Sequence, residues 1–88
     1  MTPQDFVNKL NDLFKSPTYP RYYRLEHGRK YIRVVCTTVG SSAYCFLDFE
    51  GNVYKAAGWK VPAKGVRATL ATLDMSTVDQ YGSWLYRK

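Results

Sequence analysis

RYYRLEHGRKYIRVVCTTVGSSAYCFLDFEGNVYKAA, which spans residues 21–57, is the stretch that decides the fold. Four segments rich in β-branched and aromatic residues are separated by turn signals at His27-Gly28, Gly40-Ser41 and Gly51-Asn52. Such segments joined by glycine-containing turns are typical of successive hairpins. The sequence therefore predicts a four-stranded antiparallel meander.

Short loops at two of these turns predict the register and divide the sheet into two faces. A two-residue loop at Gly40-Ser41 gives one apolar face, which comprises Ile32, Val34, Cys36, Cys45, Leu47 and Phe49. The other face is mixed aromatic and charged and comprises Arg33, Val35, Tyr44, Phe46 and Asp48. A second such loop at Gly51-Asn52 pairs Tyr54 with Phe49, and it predicts a charge ladder in which Asp48 lies between Arg33 and Lys55.

An amphipathic helix is predicted over residues 2–15. Thr2 suits the N-cap, Pro3 the first helical position, and Asp5 completes a capping box. One apolar stripe follows helical spacing and comprises Phe6, Val7, Leu10, Leu13 and Phe14. We expect this stripe to cover the apolar face of the sheet, because that arrangement buries both surfaces.

The remaining segments are shorter. Prolines end the helix within residues 16–20, and Pro62 with two glycines makes residues 58–65 a loop. Residues 66–73 fit a short strand or a short helix, and we favour the strand. Residues 74–83 are turn-rich, and residues 84–87 are predicted to be a final strand. The expected fold is α+β: one domain, residues 1–88, with an N-terminal helix packed on an antiparallel meander of four or five strands.

Composition excludes several classes of protein. The chain has 88 residues, which suffices for one hydrophobic core. No apolar segment resembles a membrane span or a signal peptide, so we expect a cytoplasmic protein without a membrane partner. Two cysteines and one histidine offer no set of zinc ligands, so no metal and no cofactor are expected. Cys36 and Cys45 are expected to be buried free thiols.

No catalytic group is evident. His27 lies at a hairpin tip, far along the strands from either cysteine, so a Cys-His pair is not expected. Gly58 and Gly65 match neither a Walker pattern nor a GxGxxG spacing. We therefore expect a protein that is not an enzyme.

The strongest charge asymmetry lies in residues 54–67. The net charge is +6, and no acidic residue occurs between Gly51 and Leu73. Cations interleaved with an aromatic ring suit a nucleic-acid surface, and here they are Lys55, Trp59, Lys60, Lys64 and Arg67. The alternative is structural: Trp59 closes one end of the core and the lysines form a solvated rim.

A second basic and aromatic cluster lies on the first hairpin. Arg24, Tyr31 and Arg33 are expected on the face away from the helix, whose composition is similar to that of sheet platforms that stack unpaired bases. The alternative is that the C-terminal half buries this face with Trp84 and Tyr86.

Residues 46–67, FLDFEGNVYKAAGWKVPAKGVR, carry a resemblance to a known family. They resemble a run in small uncharacterised proteins encoded by tailed bacteriophages, and the matching positions include Asp48, Gly51, Val53, Tyr54, Lys55, Ala57, Trp59, Lys60, Pro62, Ala63, Lys64 and Arg67. The resemblance implies a viral origin and a host-cytoplasm setting, and it implies no particular activity.

Two functions remain open from the sequence. The first is a non-enzymatic, phage-type binding module that holds nucleic acid or another anionic partner. The second is a protein-interaction module that modulates a host or phage protein, in which Trp59, Tyr22 and Tyr44 serve as anchors; an acidic protein surface is the alternative anionic partner.

Overall fold

The computed structural model describes residues 1–15, 18 and 20–86. Helix α1 (Pro3–Phe14) is followed by five strands: β1 (Tyr22–His27), β2 (Ile32–Thr37), β3 (Ser41–Leu47), β4 (Asn52–Lys55) and β5 (Ala68–Thr69). The strands form one antiparallel sheet in sequence order, and α1 packs on one side of it. The α+β prediction is confirmed. The predicted helix break falls partly on residues 16, 17 and 19, which lie outside the described residues, as does residue 87.

Helix α1 begins as the sequence predicts. The Thr2 hydroxyl accepts a hydrogen bond from the Asp5 amide, and the Asp5 carboxylate accepts one from the Thr2 amide. These reciprocal bonds satisfy two amides that the first turn of a helix leaves unpaired. The Asn11 side chain then bonds both the amide and the carbonyl of Tyr23, so the helix is attached to the outer edge of β1.

The predicted register of the central hairpin is wrong. The loop between β2 and β3 is Thr38 to Gly40, so Cys45 pairs with Val34 and Cys36 pairs with Ser42. The register also shifts between Val34 and Val35, where β3 carries an extra residue. Such a bulge disrupts the alternation of side chains between the two faces. Tyr44, predicted on the charged face, is therefore buried in the core on the helix side.

The predicted register of the second hairpin is also wrong, and here the error exchanges the two faces of β4. β4 pairs Val53 with Leu47, Tyr54 with Phe46 and Lys55 with Cys45. This differs from the predicted register by three residues, and an odd shift moves every side chain to the opposite face. Tyr54 consequently lies away from the helix and Lys55 lies on the helix side. The predicted ladder of Asp48 with Arg33 and Lys55 does not form.

Asp48 instead organises the turn between β3 and β4. Its carboxylate accepts hydrogen bonds from the Glu50 amide, from the amide and side chain of Asn52, and from the Tyr54 hydroxyl. Gly51 has a φ of 88°, which favours glycine. Phe49, which we predicted on the apolar face, lies in this turn and is 61% exposed.

The core lies between α1, the sheet and the C-terminal segment. Its buried residues include Phe6, Leu10, Val34, Cys45, Leu47, Val53, Leu70, Val78, Trp84 and Leu85. The Phe6 and Trp84 rings meet edge to face, with centroids 6.5 Å apart. The Trp84 indole donates to the Tyr44 hydroxyl at 2.8 Å, which in turn donates to the Asp79 carbonyl at 2.6 Å. The C-terminal segment thus closes the core on the same side as α1.

The type of secondary structure predicted for the last residues is wrong. Ser83–Tyr86 forms a 3-10 helix, whereas we expected a strand from residue 84. The short strand favoured within residues 66–73 is confirmed as β5, and the predicted loop over residues 58–65 contains only a single bridge end at Pro62. Within the described residues, no helix is both long enough and apolar enough to cross a membrane.

Candidate functional site

The side of the sheet opposite α1 is not covered by any helix in the described residues, and we call it the open face. Alternate residues of the strands supply it, chiefly Arg24, Glu26, Arg33, Phe46 and Tyr54. The loop after β4 folds partly over it and contributes Trp59 and Lys60.

Aromatic rings form the floor of the open face. The Tyr31 ring meets Phe46 and Tyr54 edge to face, with centroid distances of 6.3 Å and 5.6 Å. Phe46 is buried beneath these contacts, whereas Tyr31 and Tyr54 are half-buried. The hydrogen bond that Tyr54 donates to Asp48 raises the pKa of Tyr54. Both tyrosines therefore present partly exposed rings that are held by their neighbours.

Arg33 connects this floor to the loop. Its guanidinium lies 4.3 Å from the centroid of the Trp59 ring, and its Nε donates to the Trp59 carbonyl at 2.6 Å. A guanidinium over an indole is a favourable cation–π contact. Together the two contacts hold Trp59 on the open face, where it remains 41% exposed.

Glu26 is the acidic group of this region, and two cations already pair with it. Arg24 and Arg33 each place a guanidinium nitrogen 2.5 Å from one of its carboxylate oxygens. The hydrogen bond from Arg24, together with the one from Arg33, outweighs desolvation and lowers the pKa of Glu26 below its ordinary value of 4.5. The carboxylate therefore stays ionised at neutral pH and neutralises only part of the local positive charge.

A concavity of about 600 Å³ lies where the β1–β2 turn meets the floor, and we call it the cationic groove. Four cationic side chains and one carboxylate line it, and aromatic rings form its floor. The lining residues are Glu26, His27, Gly28, Arg29, Lys30, Tyr31, Arg33, Phe46 and Lys60. Arg29, Lys30 and Lys60 are exposed. An anion can therefore reach these three cations without displacing a buried side chain.

A second concavity of about 370 Å³ is lined by Trp59, and we call it the Trp59 groove. It contains no charged residue, and its lining comprises Ser41, Ser42, Ala43, Ala56, Ala57, Gly58 and Trp59. Arg33 lines the cationic groove and stacks on Trp59, so the stacked pair lies where the two grooves adjoin.

The structure brings together five of the eight residues that the sequence singled out: Arg24, Tyr31, Arg33, Trp59 and Lys60. Lys55 lies on the helix side, with its ammonium 4.5 Å from the centroid of the Tyr86 ring. Lys64 is exposed and lines neither groove. Arg67 is half-buried beside β4, and its Nε is buried without a hydrogen-bond partner.

The eight residues that the sequence singled out do not include Glu26, Arg29, Lys30, Phe46 or Tyr54. Arg29 and Lys30 follow the glycine of the first turn, and that position could have placed them at the end of the hairpin beside Tyr31. Tyr54 was predicted on the opposite face, because the predicted register paired it with Phe49 instead of Phe46.

Lys60 and Lys64 are exposed, as the solvated-rim alternative expects, but the aromatic residues of the two structural alternatives do not lie where those alternatives need them. Trp84 belongs to the core on the helix side, and Tyr86 is 67% exposed, so neither covers the open face. Trp59 is not a core residue. Cys36 and Cys45 are buried free thiols, as expected, and burial raises the pKa of Cys45. Among the described residues, no group of three or more His, Cys, Asp or Glu side chains could hold a metal ion.

Comparison with known proteins gives a family and no function. No curated protein and no solved structure matches the chain. A family of unknown function, DUF7717, matches residues 3–87, which include all the elements described above. The chain therefore belongs to the family of unknown function DUF7717.

Proposed function

We propose that this chain is a non-enzymatic binding module that holds single-stranded nucleic acid on its open face. The observation that carries the proposal is the cationic groove, where Arg29, Lys30, Arg33 and Lys60 surround a floor of aromatic rings. Lysine and arginine neutralise phosphates, and exposed rings stack on unpaired bases.

The charges of the groove favour an anionic partner. Glu26, the one carboxylate that lines the groove, pairs with Arg24 and Arg33, and the exposed cations Arg29, Lys30 and Lys60 form no ion pair among the described residues. Concave walls of one charge concentrate the electrostatic field and speed the association of an oppositely charged ligand. The groove therefore suits a phosphate chain better than a neutral ligand.

The shape of the open face favours a single strand over a duplex. Tyr31, Tyr54 and Trp59 offer ring surfaces, which can contact bases only when these are not stacked in a helix. Proteins that recognise duplex DNA usually insert a helix or a two-stranded ribbon into its major groove. In this chain, helix α1 is packed against the sheet. A flexible strand can follow both the rings and the cations.

The proposal includes the cellular setting that the sequence resemblance implies. A small basic protein of phage type in the host cytoplasm would meet both viral and host nucleic acid. The net charge of +6 supports such contacts through long-range attraction.

A titration against salt tests the proposal. A fluorescent oligonucleotide of about 12 nucleotides matches the usual extent of a single-strand site, and its anisotropy reports binding. We expect micromolar or tighter binding at low salt that weakens steeply between about 50 and 200 mM salt. A protein that binds no single-stranded DNA or RNA at low salt would refute the proposal.

Two double variants that remove the same number of charges test where the nucleic acid binds. Arg29→Gln with Lys30→Gln removes two cations from the cationic groove, and Lys9→Gln with Lys15→Gln removes two exposed cations from α1 and its C-cap. We expect the first variant to lower the salt slope by about 1.4, since it removes two cations and each phosphate contact on a single strand contributes roughly 0.7. Equal losses in both variants would mean that only net charge matters and that the groove is not the site.

A protein partner is the second candidate, and one observation favours it. The loop after β4 exposes apolar side chains, namely Trp59 at 41%, Val61 at 56% and Val66 at 49%. Tyr44 is buried and hydrogen-bonded, so it is not available as the anchor that the sequence suggested. An aromatic-anchored protein contact would depend little on salt, and the titration therefore separates the two candidates.

A further inference from the structure

We infer that the Trp59 groove is a subsite for one unpaired nucleobase, while the adjoining cationic groove holds the phosphates beside it. This inference rests on the proposed function and specifies how the strand lies. It divides the open face into a part that recognises charge and a part that recognises a flat, neutral ring.

The chemistry of the Trp59 groove differs from that of its neighbour. Its seven lining residues carry no charge, whereas the cationic groove carries four cationic side chains. A phosphate has no partner of opposite charge in the Trp59 groove. A nucleobase is neutral, flat and rich in hydrogen-bonding groups, and it suits a site that combines an aromatic wall with polar groups.

The aromatic wall is fixed in place. Arg33 stacks on Trp59 and bonds its carbonyl, so the indole is held by two contacts on the cationic side. A ring that is already oriented loses little conformational entropy when a base stacks on it. The Arg33 guanidinium stacks on the same indole, so it would lie close enough to contact the phosphate of a base stacked there.

The opposite wall offers hydrogen-bonding groups. β4 pairs with β3 at Cys45, Phe46 and Leu47, so within the part of the chain that the structure describes, no strand lies beside Ser41 to Ala43 on the β4 side. The edge of a strand presents amide and carbonyl groups that pair with whatever lies next to it. The exposed hydroxyl of Ser41, which shares a 3.3 Å hydrogen bond with Thr37, adds a further donor and acceptor. Together these groups can match the polar edge of a base.

The test compares strands that carry the same phosphates with and without bases. Oligothymidine, oligouridine and an abasic strand of equal length are titrated by anisotropy at one low salt concentration. We expect at least one of the two base-containing strands to bind about fivefold or more tightly than the abasic strand, since stacking on one aromatic side chain typically gives a fivefold to hundredfold gain. A difference in affinity between oligothymidine and oligouridine then shows whether the site prefers DNA or RNA.

Two variants assign that gain to the Trp59 groove. Trp59→Leu removes the stacking ring, and Ala57→Leu fills the groove at an exposed position while leaving Arg33 and its contacts in place. Each should reduce the preference for base-containing strands to less than about twofold while abasic binding and its salt slope persist. Tyr86→Leu is the matched control, because that exposed ring lies on the helix side beside Lys55. It should change nothing.

The outcomes separate the inference from the proposed function. Equal affinity of the wild-type protein for abasic and base-containing strands would overturn the base subsite while leaving nucleic-acid binding intact. A preference that survives Ala57→Leu and Trp59→Leu would also overturn it. Absence of binding to every strand would refute the proposed function, and the subsite with it. Circular dichroism confirms that each variant is folded, and Ala57→Leu serves alone if Trp59→Leu does not fold.

Discussion

The two faces of the sheet are made by the same strands and differ in what covers them. On the helix side, Val34, Cys45 and Leu47 are fully buried beneath α1 and the C-terminal 3-10 helix. On the open face, Arg33 and Tyr54 alternate with them. Arg33 contacts the partly exposed loop after β4, and Tyr54 contacts Asp48 and Tyr31. Burial of apolar surface stabilises the first face, while the second keeps charges and rings at the surface. The comparison shows that one side of a small sheet holds most of the core, which leaves the other side free for the recognition that we propose.

The largest effect should come from a cavity on the helix side. Phe6 is fully buried against Trp84, so Phe6→Ala should lower the free energy of unfolding by about 3–5 kcal/mol. Phe49→Ala removes the same ring from a turn where it is 61% exposed and should cost less than about 1 kcal/mol. Urea unfolding followed by circular dichroism measures both. Equal losses would mean that the helix side is not the main core.

A smaller effect is expected where the turn supports the open face. Asp48 accepts hydrogen bonds from Glu50, Asn52 and Tyr54, and Asp48→Asn should lower the free energy of unfolding by about 1–2 kcal/mol. Partial desolvation alone would raise the pKa of Asp48, but these hydrogen bonds outweigh it and lower the pKa below 3.8.

The sign of that shift gives a pH dependence. Because the folded-state pKa is lowered, the contribution of Asp48 is complete above its ordinary value of 3.8 and is lost as the pH falls through the folded-state value. The stability difference between wild type and Asp48→Asn should therefore be constant near neutral pH and shrink below about pH 4. Urea unfolding at several pH values measures it. A difference that grows on acidification would contradict the assigned hydrogen bonds.

The smallest change in stability is expected on the open face itself. Glu26→Gln removes a carboxylate that occupies Arg24 and Arg33, so both guanidiniums become available to a ligand. We expect stability to change less than in Asp48→Asn, since exposed ion pairs contribute little. Affinity for a single-stranded oligonucleotide should rise severalfold at low salt. Unchanged or weaker binding would mean that these arginines do not contact the strand.

The helix and the order of strands could be predicted from the sequence because their signals are local. Thr2 and Asp5 define the start of α1, and glycine-containing turns separate the strands. Register could not be predicted, since it depends on the three-residue loop ending at Gly40 and on the bulge after Val34. The C-terminal 3-10 helix also escaped prediction, because packing of Trp84 against Phe6 decides its conformation.

The candidate site shows the same limit. Arg24, Tyr31 and Arg33 lie on the open face as expected, although the predicted first turn is wrong: His27 belongs to β1, and the loop runs from Gly28 to Tyr31. Lys55 was assigned to the site by its neighbourhood in sequence, yet the odd register shift of β4 directs it to the helix side. Contacts between segments far apart in sequence, such as that of Arg33 with Trp59, follow from the tertiary fold alone.

Amide chemical shifts test the central claim most directly, because they report which face a ligand meets. A titration of the labelled protein with a single-stranded oligonucleotide should perturb residues 24–33, 41–46 and 54–60 and leave the exposed side of α1 unchanged. Shifts confined to α1 and the C-terminal 3-10 helix, or no shifts at all, would contradict the assignment of recognition to the open face.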